Sequence, residues 1–170
     1  MTRIRHAARI LIVDPESQIL LFRFAYSHGP LAGVEYWGVP GGGVEEGESF
    51  PAAACRELME ETGIRLDDPG PERAESRYPF RLSNGEEVAA HDHYFVLKLP
   101  ERPGLSQNGF TPEERENMVE HRWWNAMELA NTTENIVPAD LADVLERAGQ
   151  AAGVSGQGAI DSAGIRHSGQ

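Results

Sequence analysis

The sequence predicts an α/β fold, a single α/β/α sandwich built on a mixed sheet. Three observations carry that reading. Two apolar runs at residues 8–13 and 18–24 are separated by the turn signal Asp14-Pro15-Glu16-Ser17, which reads as a hairpin. Their hydrophobicity is nearly continuous rather than alternating, as expected of strands covered on both faces. Helical patterns at residues 50–62 and 138–148 are interspersed with further strand-like runs, which places helices against a sheet rather than against each other.

The elements follow in order. Residues 25–35 form a loop punctuated by Gly29, Pro30 and Gly33, and residues 36–40 a short strand entering a glycine turn. Ser49 is placed to cap the helix at 50–62, Pro51 sits in its first turn where a missing N–H costs nothing, and Gly63 supplies the left-handed stop. Ala54 and Leu58 mark the packing stripe of that helix, with Glu57 and Glu61 assigned to the other side. Strands at 74–80 and 88–99 flank Ser83-Asn84-Gly85, a strong hairpin signal. Residues 100–114 read as a long polar loop, 119–125 as a last strand and 126–130 as a short helix or turn. The terminal helix presents Leu141, Val144, Leu145 and Ala148 on one side. These elements make residues 1–148 the functional domain, and the Gly/Ser/Gln/Ala-rich residues 149–170 read as a disordered tail.

Bulk properties narrow the function. The 170 residues carry 15 basic and 27 acidic side chains, a net charge of −12. No basic stripe is available to neutralise a phosphate backbone, so a polymeric nucleic acid is not the expected partner. No span reaches membrane length, and the first residues lack the pattern of a signal peptide. A cytoplasmic protein with no membrane partner is the expectation. Cys55 is the lone cysteine, so neither an intrachain disulfide nor a cysteine metal site is in play. Its setting among Ala53, Ala54 and Leu58 reads as a buried structural thiol.

The chemistry concentrates in residues 42–64, GGVEEGESFPAAACRELMEETGI. Glu57, Glu60 and Glu61 lie at i, i+3 and i+4 and share a helix face. Three like charges so close cost stability unless a cation sits among them. A hard dication with oxygen ligands, such as Mg²⁺, is the natural one, and it commonly bridges to phosphate.

This segment resembles the Nudix box, G-x5-E-x7-R-E-U-x-E-E-x-G-U with U aliphatic, at every fixed position: Gly42, Glu48, Arg56, Glu57, Leu58, Glu60, Glu61, Gly63 and Ile64. The resemblance extends through the WGVPGGGVE lead-in to roughly residues 5–148. It implies a Nudix-type sandwich and a MutT-like hydrolase that binds one to three Mg²⁺ or Mn²⁺ ions through Glu57, Glu60 and Glu61, with the backbone carbonyl of Gly41 joining them. It implies that Glu48 pairs with Arg56 and steadies the arrangement. Family members also use a glutamate outside the box as base or extra metal ligand; this chain offers Glu113, Glu114, Glu116 and Glu120, and VEHRWWNAMEL points to Glu120, with Glu116 next. The reaction implied is hydrolysis of a phosphoanhydride in a nucleoside diphosphate linked to X. A nucleoside triphosphate or modified nucleotide is the first choice for that small-molecule substrate. ADP-ribose or a nucleotide sugar is the alternative, on the strength of Pro79 lying sixteen residues beyond Gly63. A non-catalytic nucleotide sensor is the reading from another class. Many relatives are dimers, so a homodimer stays open.

Other side chains are weighed against plainer roles. Tyr26, Tyr36, Trp37, Tyr94 and Phe110 are candidates for a base-stacking wall, and Arg23, Arg77 and Arg81 for phosphate contact. Trp123 and Trp124 alternate on a strand, one for the core and the other toward the cleft. His91 and His93 flank Asp92 and share a face. With no cysteine or nearby carboxylate pattern to complete a zinc set, they read as polar residues on the solvent or substrate side.

Overall fold

The computed structural model describes residues 1–151, without the side chains of the last two; the tail expected at 149–170 falls almost wholly outside them. The strands are β1 (Arg3–Val13), β2 (Ile19–Ala25), β3 (Glu35–Gly38), β4 (Gly41–Gly43), β5 (Ala74–Arg81), β6 (Glu87–Lys98), β7 (Met118–Trp124) and β8 (Ile136–Val137). The helices are α1 (Phe50–Thr62), α2 (Pro112–Asn117), α3 (Ala126–Asn131) and α4 (Leu141–Ala151).

All eight strands join one mixed sheet ordered β5-β6-β1-β2-β3-β8, with β4 on β1 and β7 on β2. β1 and β6 run parallel and in register over the whole of β1, from Arg3 opposite Val88 to Val13 opposite Lys98. The β1–β2 hairpin closes with Val13 opposite Ile19. Earlier along β1, Ala7, Ala8 and Arg9 pair instead with Gly43, Gly42 and Gly41. The sheet therefore splays around β1, and the gap opens beside the glycines.

Each face of the sheet carries its own core. Ala8, Ile10, Ile12, Leu20, Phe22, Phe95 and Leu97 pack under Ala53, Ala54 and Leu58 of α1. Leu11, Ile19, Leu21, Trp37, Tyr94 and Trp124 pack under Leu141, Val144 and Ala148 of α4. The expected α/β/α sandwich is the observed one. Two-sided burial is also why β1 and β2 read as continuous apolar runs. Among the described residues no helix is long and apolar enough to cross a membrane.

The caps form as the sequence requires. The Ser49 hydroxyl accepts from the Ala52 amide at 3.2 Å, and Gly63 adopts φ 79° with its N–H on the Met59 carbonyl. The Ser83-Asn84-Gly85 turn closes with the Gly85 amide on the Leu82 carbonyl at 2.8 Å. Three elements lie beyond the sequence expectations. β4 and β8 are too short for a periodicity to register. α2 begins inside the expected loop and runs three residues past its end, although Thr111-Pro112-Glu113-Glu114 carries a capping box that could have found it: the Thr111 hydroxyl accepts from the Glu114 amide while the Glu114 carboxylate accepts from the Thr111 amide. β1 begins at Arg3 rather than residue 8, because its polar first residues pair with β6.

The β1–β2 turn is held by Asp14, 1% exposed. Its Oδ1 accepts from the amides of Glu16 (2.9 Å) and Gln18 (2.8 Å), and its Oδ2 from Arg102 Nε at 2.7 Å. Burial disfavours the charge, but these donors together outweigh it and hold the Asp14 carboxyl below its ordinary value. The stability it adds is present above the unfolded-state value of about 3.9 and is lost as pH falls through the lower folded-state value. Denaturant melts of the wild type and Asp14→Asn should therefore differ at neutral pH, with the difference shrinking as the pH is taken below about 3.9.

Candidate active site

α1 is seated against β1 and β4, so the side of the helix carrying Glu57 and Glu61 meets three glycines. The side opposite the packing stripe is thus itself closed off from solvent: Glu57 is 7% and Glu61 4% exposed. Glycine is what makes room. A Cβ on Gly42 would lie 2.5 Å from Glu57 Oε1, and one on Gly41 would lie 2.1 Å from the Ala8 carbonyl. Gly41 also has φ 139°, a conformation closed to other residues. Its amide donates to Glu61 Oε2 at 3.0 Å. Gly41→Ala should cost about 3 kcal/mol or more, measurable by denaturant unfolding.

Arg56 organises the rim. Its Nε and Nη2 reach Glu48 Oε2 and Oε1 at 2.8 and 2.9 Å, a two-pronged contact. Nη1 reaches Glu57 Oε1 at 2.9 Å and Glu60 Oε2 at 3.2 Å, and Nη2 also donates to the Gly43 carbonyl at 3.1 Å. Glu60 is 37% exposed in its side chain and turned toward Arg56.

The carboxylate that joins Glu57 and Glu61 is Glu114, from α2: one oxygen from each of the three lies within 4.8 Å of the others. Glu120 is not part of this group. β7 places it opposite Arg23 of β2, and its Oε2 takes Arg23 Nε at 2.9 Å. Glu116 is paired with His28. Burial pushes the Glu61 carboxyl well above its ordinary value, with Glu57 adding repulsion and the Gly41 amide only partly compensating. Burial likewise raises Glu57, against the pull of Arg56, and Glu114. An all-oxygen set of two buried carboxylates and a half-buried third fits a hard dication.

The three carboxylates open onto a cavity of about 340 Å³, a size ordinary for a small-molecule site. Phe24, Tyr26, Tyr36, Tyr78 and Phe80 line it, together with Arg5, Arg9, Asp92, Thr111 and Asn117. The Phe24 and Tyr36 rings are stacked, centroids 5.0 Å apart. Arg9 is fixed by Asp92 Oδ2 at 3.3 Å and the Val39 carbonyl at 3.2 Å, and Tyr78 donates to Asp92 Oδ2 at 2.6 Å. Despite the cost of burial, Asp92 keeps Arg9 firmly charged. Arg5 makes no ion pair among the described residues, and burial and Arg9 lower its pKa.

Of the aromatic candidates, Tyr26 and Tyr36 line this cavity, whereas Trp37, Tyr94 and Phe110 are core. Trp124 is core as well, edge-on to Trp37, and Trp123 lies under Arg102 rather than at the cleft. The pocket arginines are Arg5 and Arg9. Arg23 is tied to Glu120 and Glu35, and Arg81 donates to the Gly85 carbonyl. Arg9 is absent from the sequence candidates because it sits inside an apolar strand, and its place opposite Gly41 is set by the β1–β4 pairing rather than by any local pattern. His91 and His93 line neither the cavity nor the solvent surface: they are 9% and 6% exposed, on the face away from Asp92. Cys55 is half-buried rather than core, and burial, with Asp68 and Asp67 nearby, raises its thiol pKa and keeps it unreactive.

Comparison with known proteins agrees with this geometry. The NUDIX domain profile matches residues 3–145. An RNA pyrophosphohydrolase of Bartonella quintana is 38% identical over 63 residues, 36% of each chain. The m7GpppN-mRNA hydrolase NUDT17 of Xenopus laevis is 34% identical over 113 residues, 63% of this chain and 37% of that one. The matches thus span little more than a third of these relatives. Among solved structures, a MutT protein from Methanosarcina mazei Go1 superposes with TM-score 0.62 at 24% identity, covering 88% of this chain and 95% of the other. A bifunctional NMN adenylyltransferase/ADP ribose pyrophosphatase from Francisella tularensis superposes with TM-score 0.58 at 19% identity, covering 89% of this chain and 43% of that one. These two likenesses concern the fold. By the span of the domain match, the chain belongs to the Nudix family of hydrolases.

Proposed function

We propose that this chain hydrolyses a phosphoanhydride bond in a nucleoside diphosphate linked to a further group, with a free nucleoside triphosphate or modified nucleotide as the preferred substrate. The observation that supports it most is the meeting of Glu57, Glu61 and Glu114 at the mouth of a cavity that also holds two arginines and a set of aromatic rings. Glu57, Glu61 and Glu114 would hold Mg²⁺ or Mn²⁺, with the Gly41 carbonyl as backbone ligand and Glu60 as the carboxylate for a further ion. A dication held there would supply Lewis-acid polarisation of the phosphoanhydride and a more acidic water. Glu114 takes the place expected of Glu120 as the carboxylate outside the box that would join Glu57 and Glu61 around the ion. Arg56 and Glu48 hold the glutamates in place without touching substrate. Arg5 and Arg9 meet the phosphates. Tyr26 and Tyr36, with Tyr78 and Phe80, flank the base.

One observation favours a second reading. The sequence relatives act, by name, on RNA or capped mRNA ends, and a terminal nucleotide fits the same cavity. A panel of nucleoside triphosphates, ADP-ribose, 5′-triphosphorylated RNA and capped RNA, assayed with Mg²⁺ for released phosphate, pyrophosphate and nucleoside monophosphate, tests both. Turnover of free nucleotides at least about tenfold above the RNAs in kcat/KM is expected. The reverse order selects the RNA reading, and tight binding without product across the panel rejects hydrolysis.

A further inference from the structure

On the face of the sheet opposite the cavity, the in-register parallel pairing of β1 with β6 sets His6 beside His91, with His93 two residues on. His6 Nδ1 and His93 Nε2 face one another at 3.1 Å. The His91 ring centroid lies 5.0 Å from that of His6 and 4.3 Å from that of His93. One ring nitrogen from each of the three lies within 4.8 Å of the others. Two carboxylates from the edge of the sheet complete the group: Glu72 binds His93 Nδ1, and Glu75 Oε2 binds His91 Nε2 at 2.8 Å. Phe50, the first residue of α1, stacks on His93 at 3.8 Å between centroids.

We propose that His6, His91 and His93 form a second metal site, distinct from the carboxylate site, for a borderline first-row dication of which Zn²⁺ is the best fit. Imidazole is a favoured Zn²⁺ ligand, whereas Mg²⁺ selects oxygen. Zinc–nitrogen bonds of 2.0–2.1 Å place tetrahedral ligand nitrogens about 3.3 Å apart, close to the spacing His6 and His93 already have. The carboxylates supply what such a site requires around its ligands. Glu72 accepts a hydrogen bond from the Nδ1–H of His93 and so presents Nε2 to the metal; Glu75 accepts one from the Nε2–H of His91 and leaves Nδ1. His6 then ligates through Nδ1 by carrying its proton on Nε2, so a neutral imidazole binds without net proton release. Arg77 stands opposite His91 on β5 and opposes a cation, but Glu72 and Glu75 outnumber it. Phe50 covers one side of His93, and His6, exposed, gives the ion its way in. A metal here ties β1 to β6 beside the start of α1.

The test uses the full chain after chelation, in the Glu61→Gln background so that the carboxylate site does not compete. Co²⁺ is titrated by visible absorption and Zn²⁺ by calorimetry. One ion per chain is expected, with the intense visible bands of four-coordinate Co²⁺ displaced by Zn²⁺. A hundredfold excess of Zn²⁺ over its dissociation constant should raise the melting temperature by about 5–10 °C. Adding His6→Gln, a change at an exposed side chain, should weaken binding at least about 100-fold and abolish that rise; its metal-free melt, matched to the parent, shows that the fold is intact. Adding His93→Gln should act likewise. No four-coordinate spectrum in the parent, or equal affinity with His6→Gln, overturns the proposal.

Discussion

Glu61→Gln should reduce Mg²⁺-dependent turnover at least about a hundredfold while leaving the metal-free protein as stable as the wild type or more so. The two halves of this result have one cause. Glu61 is held in a nearly dry place, beside Glu57, by one backbone amide. That setting favours the uncharged carboxyl, so the metal-free fold bears a cost which the charged ligand set needs and the neutral amide removes. Gln keeps the shape and can still accept from Gly41. Steady-state kinetics and denaturant melts in chelator measure the two halves separately. A loss of turnover accompanied by a fall in metal-free stability would assign Glu61 to the scaffold instead of the chemistry.

Arg56→Ala should cost about 3–5 kcal/mol, because it leaves the half-buried Glu48 and the buried Glu57 without their cation. Turnover should fall about 10–100-fold as the glutamates lose their alignment. Arg56→Lys separates charge from shape. Lysine restores a positive centre but cannot give Glu48 two parallel donors while also reaching Glu57, Glu60 and the Gly43 carbonyl. It should recover less than half of the lost stability, read from urea unfolding midpoints at constant slope. Full recovery would show that charge alone matters at this position.

Local and distant features differ in how well the sequence reveals them. α1, its Ser49 and Gly63 caps and the Glu48–Arg56 contact are local, set by spacings of a few residues. The two-sided burial of β1 and β2 is equally plain in their composition. What stays hidden depends on partners far along the chain. Glu120 and Glu114 are the same residue type and only six residues apart. β7 carries the first to Arg23, nearly a hundred residues away in sequence, past a register shift between Arg23 and Phe24. The capped turn of α2 carries the second to α1. His91 and His93 read as an incomplete pair because their third member, His6, arrives through a parallel pairing that no local pattern encodes. Burial of Glu57 and Glu61 is hidden for a related reason: the space for them comes from glycines that are informative only once β4 lies against β1.

Glu114 does two jobs with one carboxylate. It closes the cap that starts α2 and it stands in the trio at the cavity mouth, while its neighbours Thr111, Glu113 and Asn117 line the cavity. Reaction and recognition are therefore not separable modules in this segment. Residues 42–64 carry the box glutamates and Arg56 but are packed against β1, β2 and β6. A graft of residues 111–118 from a relative with other tastes would rewrite the ligand set along with the pocket wall. Redirecting this protein toward a new substrate is better begun at Tyr26, Tyr36 or Phe80, where the lining can change and the chemistry stay as it is.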